Sequence, residues 1–88
     1  MRAVYDPAYI EFVSRLRTAR KSKGYTQYAL ARLLRKPQSY VSKVETAERR
    51  IDVLEAARWC IALGITLDEV IPSNLLVLGN RENGSIKN

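Results

Sequence analysis

The sequence predicts an all-α domain, a compact bundle of five helices in which the second and third are joined by a tight turn. Three observations lead there. Apolar residues recur at three- and four-residue spacing in successive blocks, as one face of a helix requires. Residues that start or stop helices divide those blocks, at Asp6, Pro7, Gly24, Thr26, Pro37, Asp52, Gly64, Thr66 and Pro72. A chain of 88 residues is also long enough for one modest core and short of a second.

Asp6 followed by Pro7 reads as an N-cap and first helical position, so the first helix is expected from there to about Lys23. Ile10, Val13 and Leu16, with Tyr9 and Phe12 adjoining, form its apolar face. Arg15, Arg17, Arg20, Lys21 and Lys23 load its later turns, where cations also suit the helix dipole. Gly24 ends it, because glycine takes a left-handed backbone cheaply.

Thr26 is a good N-cap for a second helix carrying Leu30, Leu33 and Leu34, with small Ala29 and Ala31 between them. Pro37 is excluded from a helix interior but favoured in a first turn. The second helix should therefore stop near Leu34 or Arg35 and a third begin near Pro37, which leaves two or three residues for the turn. On the third helix Val41 and Val44 can face the core, while Gln38, Ser39, Ser42 and Lys43 fall on the other side. That outer row carries donors and acceptors rather than charge alone. Gln pairs bidentately with adenine in a major groove, Ser bonds to several base edges, and Lys reaches guanine or phosphate. Two short helices with such a row are expected to form a helix-turn-helix that reads double-stranded DNA.

A polar loop, Thr46 to Arg50, comes next, and Asp52 caps a fourth helix that runs through Leu63 and closes at Gly64. Val53, Ala56, Ala57, Cys60 and Leu63 make one apolar stripe, expected in the core. Leu54, Trp59 and Ile61 leave few polar positions elsewhere on this helix, so it should be covered on more than one side. Thr66 caps a short fifth helix, Leu67 to Ile71, stopped by Pro72. The domain is thus drawn at residues 1–72, with a tail at 73–88 whose polar end is expected to be disordered. The tail's apolar run Leu75, Leu76, Val77 and Leu78 would be an awkward surface for a monomer. It is expected to pack with Leu54 and Ile61 across the two-fold axis of a homodimer, the alternative being that it folds back on its own domain.

Net charge is +6, and its distribution says more than its size. Residues 15–50 hold eleven of the fifteen Lys and Arg against Glu45 and Glu48, a local balance of +9, whereas the segments on either side are slightly acidic. Positive charge concentrated on the helix-turn-helix segment suits a polyanion. With one cysteine and no histidine, a metal site, a cofactor pocket of the usual kind and a catalytic constellation are not expected. Cys60 is expected to be a small buried hydrophobe. No apolar run approaches a membrane span and no signal-peptide layout opens the chain, so a cytoplasmic location is expected.

The pattern resembles the lambda repressor and Cro type of helix-turn-helix, the XRE family. The matching residues are Leu16 and Arg17; Gly24, Tyr25, Thr26 and Gln27; Leu30 and Ala31; Gln38 and Ser39; Val41 through Glu45; and Ala62 through Val70. Arg35 and Ala47 depart from it, standing where the family commonly has glycine after its second and third helices. The resemblance implies a sequence-specific regulator, most simply a dimeric repressor with Gln38, Ser39, Ser42 and Lys43 reading bases. It also implies phosphate contacts at Gln27, Arg17, Arg20, Arg49 and Arg50. Tyr40 is a further candidate through its hydroxyl. Glu45 is expected to pair with an arginine of the first helix, since a carboxylate near DNA would be repelled. Antitoxins that bind a toxin protein and restriction-modification controllers are variants of similar size and remain the alternatives.

Overall fold

The computed structural model describes residues 6–72 and residue 75. Helix α1 spans Pro7–Ser22, α2 Gln27–Leu34, α3 Gln38–Glu45 and α4 Val53–Leu63, and a short 3-10 turn, Leu67–Glu69, follows. Helix starts follow local chemistry. The Asp6 carboxylate accepts from the Ala8 N–H at 2.9 Å and the Thr26 hydroxyl from the Ala29 N–H at 3.0 Å. Asp52 and Glu55 form a reciprocal capping box at the start of α4.

Helix ends share one device. The residue after or near each terminus is left-handed, at Gly24, Arg35, Ala47 and Gly64, with φ of 83°, 57°, 64° and 70°. An N–H one residue further on then returns to the last turn, as Tyr25 to Arg20, Lys36 to Ala31, Glu48 to Lys43 and Ile65 to Cys60. Arg35 and Ala47 therefore take the glycine geometry despite their side chains.

The expected fifth helix is corrected to the three-residue 3-10 turn. Glu69 accepts from both the N–H and the hydroxyl of Thr66, at 2.8 and 2.9 Å, which tightens the first turn. Pro72 disfavours helical backbone in the residue before it, so no second turn is added.

Helices α2, α3 and α4 pack on one another, and α1 lies across α3 and α4. Leu16, Leu30, Val41, Val44, Trp59 and Val70 are at most 1% exposed and form the centre. Two expectations about burial change. Ile10 and Val53 lie at the first turns of α1 and α4 and are 43% and 69% exposed. Tyr9 takes the inward place instead of Ile10, and its hydroxyl accepts from the Ile51 N–H at 3.1 Å. Trp59, placed from sequence off the main apolar stripe of α4, is fully buried, and its indole N–H donates to the Tyr40 hydroxyl at 3.2 Å. Leu33, Leu54 and Ile61 are exposed. Leu76, Val77 and Leu78 lie outside the described residues.

Candidate nucleic-acid interface

Helix α3 places its residues by simple periodicity. Tyr40, Val41 and Val44 turn inward, Ser39 and Lys43 are exposed, and Gln38 and Ser42 are half-buried. The four residues expected to read bases thus share the outer side of α3. Pro37 sits at the N-cap with an extended backbone, so α3 starts at Gln38 and the first N–H groups of the helix open beside that side chain.

Gln38 is held by a chain of hydrogen bonds whose polarity is set at its buried end. Glu45 accepts from Arg20 through Nε at 2.6 Å and Nη2 at 3.0 Å, with Arg17 Nε 3.9 Å away. A carboxylate only accepts, so Gln27 turns its amide nitrogen to Glu45 at 3.0 Å. Its oxygen then accepts from the Gln38 amide nitrogen at 2.7 Å. Gln38 keeps its own oxygen and one N–H, the acceptor and donor that match the N6 and N7 edge of adenine. Sequence reasoning named all the members of this chain and the Glu45 pairing, but not the link from Gln27 to Gln38.

Arg20 is 6% exposed, and its remaining nitrogen donates to the Tyr25 carbonyl at 2.7 Å. Its expected phosphate contact is corrected to a structural role, because every part of the guanidinium is engaged inside the fold. Tyr40 is corrected likewise. The residue is 8% exposed and its hydroxyl donates to Glu55 at 3.0 Å while accepting from Trp59. Burial, with the Glu55 charge beside it, raises the Tyr40 phenol above its ordinary value.

Arg17, Arg49 and Arg50 are exposed. Arg49 is paired with Glu55 at 2.9 Å and stacks 4.9 Å from the Tyr40 ring centre, while Arg50 lies 4.5 Å above the Tyr9 ring. Lys36, not singled out from sequence, stands 5.4 Å over the same Tyr40 ring. Burial alone would raise the Glu55 carboxyl, yet the Asp52 N–H, the Tyr40 hydroxyl and Arg49 together hold it below its ordinary value. Glu55 was given no role from sequence; its place three residues after Asp52 was the available signal.

No group of residues suited to a metal ion occurs among the described residues, and no described helix is long and apolar enough to cross a membrane.

A short turn that sets a hydrogen-bonding helix face outward, flanked by exposed cations, defines a DNA-binding helix-turn-helix protein. A family model described as helix-turn-helix (HTH_3) matches residues 16–70, and the chain belongs to that family, of the XRE type. Solved structures agree. The restriction-modification controller protein C.AhdI from Aeromonas hydrophila is 33% identical, with a TM-score of 0.67 over 72% of this chain and 96% of that one. An XRE-family like protein from Pseudomonas syringae is 41% identical, with a TM-score of 0.68 over 72% and 77%. The clp gene regulator ClgR from C. glutamicum is 30% identical, with a TM-score of 0.68 over 74% and 86%. No curated relative matches the chain. Family and neighbours together make this a DNA-binding transcriptional regulator.

Proposed function

We propose that the protein is a dimeric repressor that lays α3 in the major groove and occludes a promoter. The observation that carries this reading is the hydrogen-bonded chain that presents Gln38 with a free donor and acceptor. Gln38, Ser39, Ser42 and Lys43 read base edges, each good contact contributing about 1 to 3 kcal/mol of discrimination. Arg17, Arg49, Arg50 and Gln27 meet phosphates and supply salt-dependent affinity. A homodimer places two copies of α3 roughly 34 Å apart on one side of the duplex. Exposed Leu54, Ile61 and Leu75 support that contact, and Leu76, Val77 and Leu78 continue it in sequence.

The test is fluorescence anisotropy against duplex DNA from upstream of the protein's own gene and a scrambled control, at about 0.15 M salt. A preference of about a thousandfold or more is expected of a specific regulator. Equal and weak binding to both sinks the sequence-specific reading. Gln38→Ala should relax preference at one base position in a binding-site selection, and an unchanged selection would show that Gln38 reads nothing. The likeness to a restriction-modification controller favours one second reading, control of a neighbouring restriction gene, which inspection of the flanking genes decides.

A further inference from the structure

We propose that Glu55 is a positioning residue for DNA binding: it holds the Arg49 guanidinium against the Tyr40 ring, so that the loop after α3 meets the DNA backbone already ordered. The proposal rests on the reading of Arg49 as a phosphate contact. One carboxylate joins three parts of the fold. Its Oε2 accepts from the Tyr40 hydroxyl of α3 at 3.0 Å and from Arg49 Nη1 of the loop at 2.9 Å. Its Oε1 accepts from the Asp52 N–H at the start of α4 at 3.1 Å. Trp59 fixes the Tyr40 hydroxyl from below at 3.2 Å, so the ring under Arg49 cannot swing away.

Exposure divides the roles. The Glu55 side chain is 15% exposed and Arg49 is 43% exposed, so the carboxylate is sheltered while the cation faces solvent. Glu55 and the Arg50 carbonyl both engage Nη1, which leaves Nη2 and Nε for a phosphate. A carboxylate at a DNA-binding surface weakens binding by its charge alone. Holding a long side chain in place works in the opposite sense, because an arginine that is already ordered loses less rotamer freedom on binding. The two effects have opposite signs, and the proposal requires ordering to win.

The experiment is a double-mutant cycle read by anisotropy on a mixed-sequence duplex of about two helical turns, over a series of salt concentrations. Arg49→Gln should weaken binding and lower the magnitude of the salt slope by about 0.9 for each phosphate it no longer neutralises. Glu55→Gln keeps an oxygen for the Asp52 N–H and turns an NH2 group toward the Tyr40 hydroxyl and Arg49, and it should weaken binding about 2- to 10-fold, against the sign of its charge change. In the Arg49→Gln background that weakening should vanish. Tyr40→Phe keeps the ring and the Arg49–Glu55 pair but removes the bond that ties the carboxylate to α3, so it should weaken binding in the same direction by less and serves as the second variant should Glu55→Gln not fold. Slowed rotation of the Arg49 guanidinium in the free protein, seen as distinct Nη resonances, should be lost in Glu55→Gln. If Glu55→Gln binds as tightly as the parent or more tightly while Arg49→Gln still weakens binding, the positioning role is wrong. If Arg49→Gln itself changes neither affinity nor slope, the phosphate reading fails first and takes the positioning role with it.

Discussion

Glu45 lies with its side chain 2% exposed and depends on Arg20, 7% exposed, for its compensation. A buried pair of this kind adds little over an apolar pair of the same shape, but removing one partner leaves the other uncompensated. Arg20→Met alone should therefore destabilise by about 3 to 5 kcal/mol in denaturant unfolding, and Arg20→Met with Glu45→Leu should recover much of that deficit. The double variant also releases Gln27 and hence Gln38, so stability should return without sequence preference. A second prediction at this scale concerns acid. Glu55 and Glu69 titrate below their ordinary value of 4.5 in the folded chain, Glu55 against the pull of its burial and Glu69 through its bonds to Thr66. Such groups add stability above the unfolded value, and that contribution is lost as pH falls through the lower folded value. Thermal midpoints should thus drop on acidification through the carboxylate range, and less steeply in Glu55→Gln than in the parent.

At the scale of elements, each of helices α1 to α4 closes through a left-handed residue, but only two of those residues are glycine. A side chain in that conformation costs about 1 kcal/mol relative to glycine. Arg35 is exposed, so Arg35→Gly should stabilise by about 0.4 to 1 kcal/mol, seen as a rise of a few degrees in thermal midpoint. Ala47 is 7% exposed and packs with Tyr9 and Val13, so Ala47→Gly removes a packed methyl as it relieves the backbone and should gain less than Arg35→Gly. Equal gains at the two sites would show that the Ala47 methyl contributes nothing to the packing of α1 on α3.

For the molecule as a whole, exposed apolar residues gather on α4 and after it, with Leu54 at 62%, Ile61 at 79% and Leu75 at 44%. The reading of a two-fold dimer predicts that Leu54→Glu together with Ile61→Lys yields a folded monomer by sedimentation at micromolar protein. Operator affinity should then fall by far more than either charge change explains, because two half-sites no longer bind as one. A parent chain that sediments as a monomer at every concentration would remove the dimer.

Helix order and the outward row on α3 were legible in the sequence because both depend on neighbours a few residues apart. Caps at Asp6, Thr26 and Asp52, the proline at the start of α3 and a 3.6-residue apolar period are local facts. What lay beyond reach joins residues distant in the chain. Glu45 was expected to pair with an arginine of α1, but that buried Arg20 and not exposed Arg17 is its close partner was not legible, because the two residues lie 25 positions apart. Tyr40 looked free to meet a phosphate until Trp59 and Glu55 took its hydroxyl. The short final turn was set by a contest between Thr66 capping and Pro72, which spacing alone does not resolve. By itself the sequence determined the class of fold and the hydrogen-bonding outer face of α3, since periodicity and capping are properties of single helices. Only the tertiary structure decided which polar side chains remain on that face, because a buried charge must find its partner and the partner is chosen by packing.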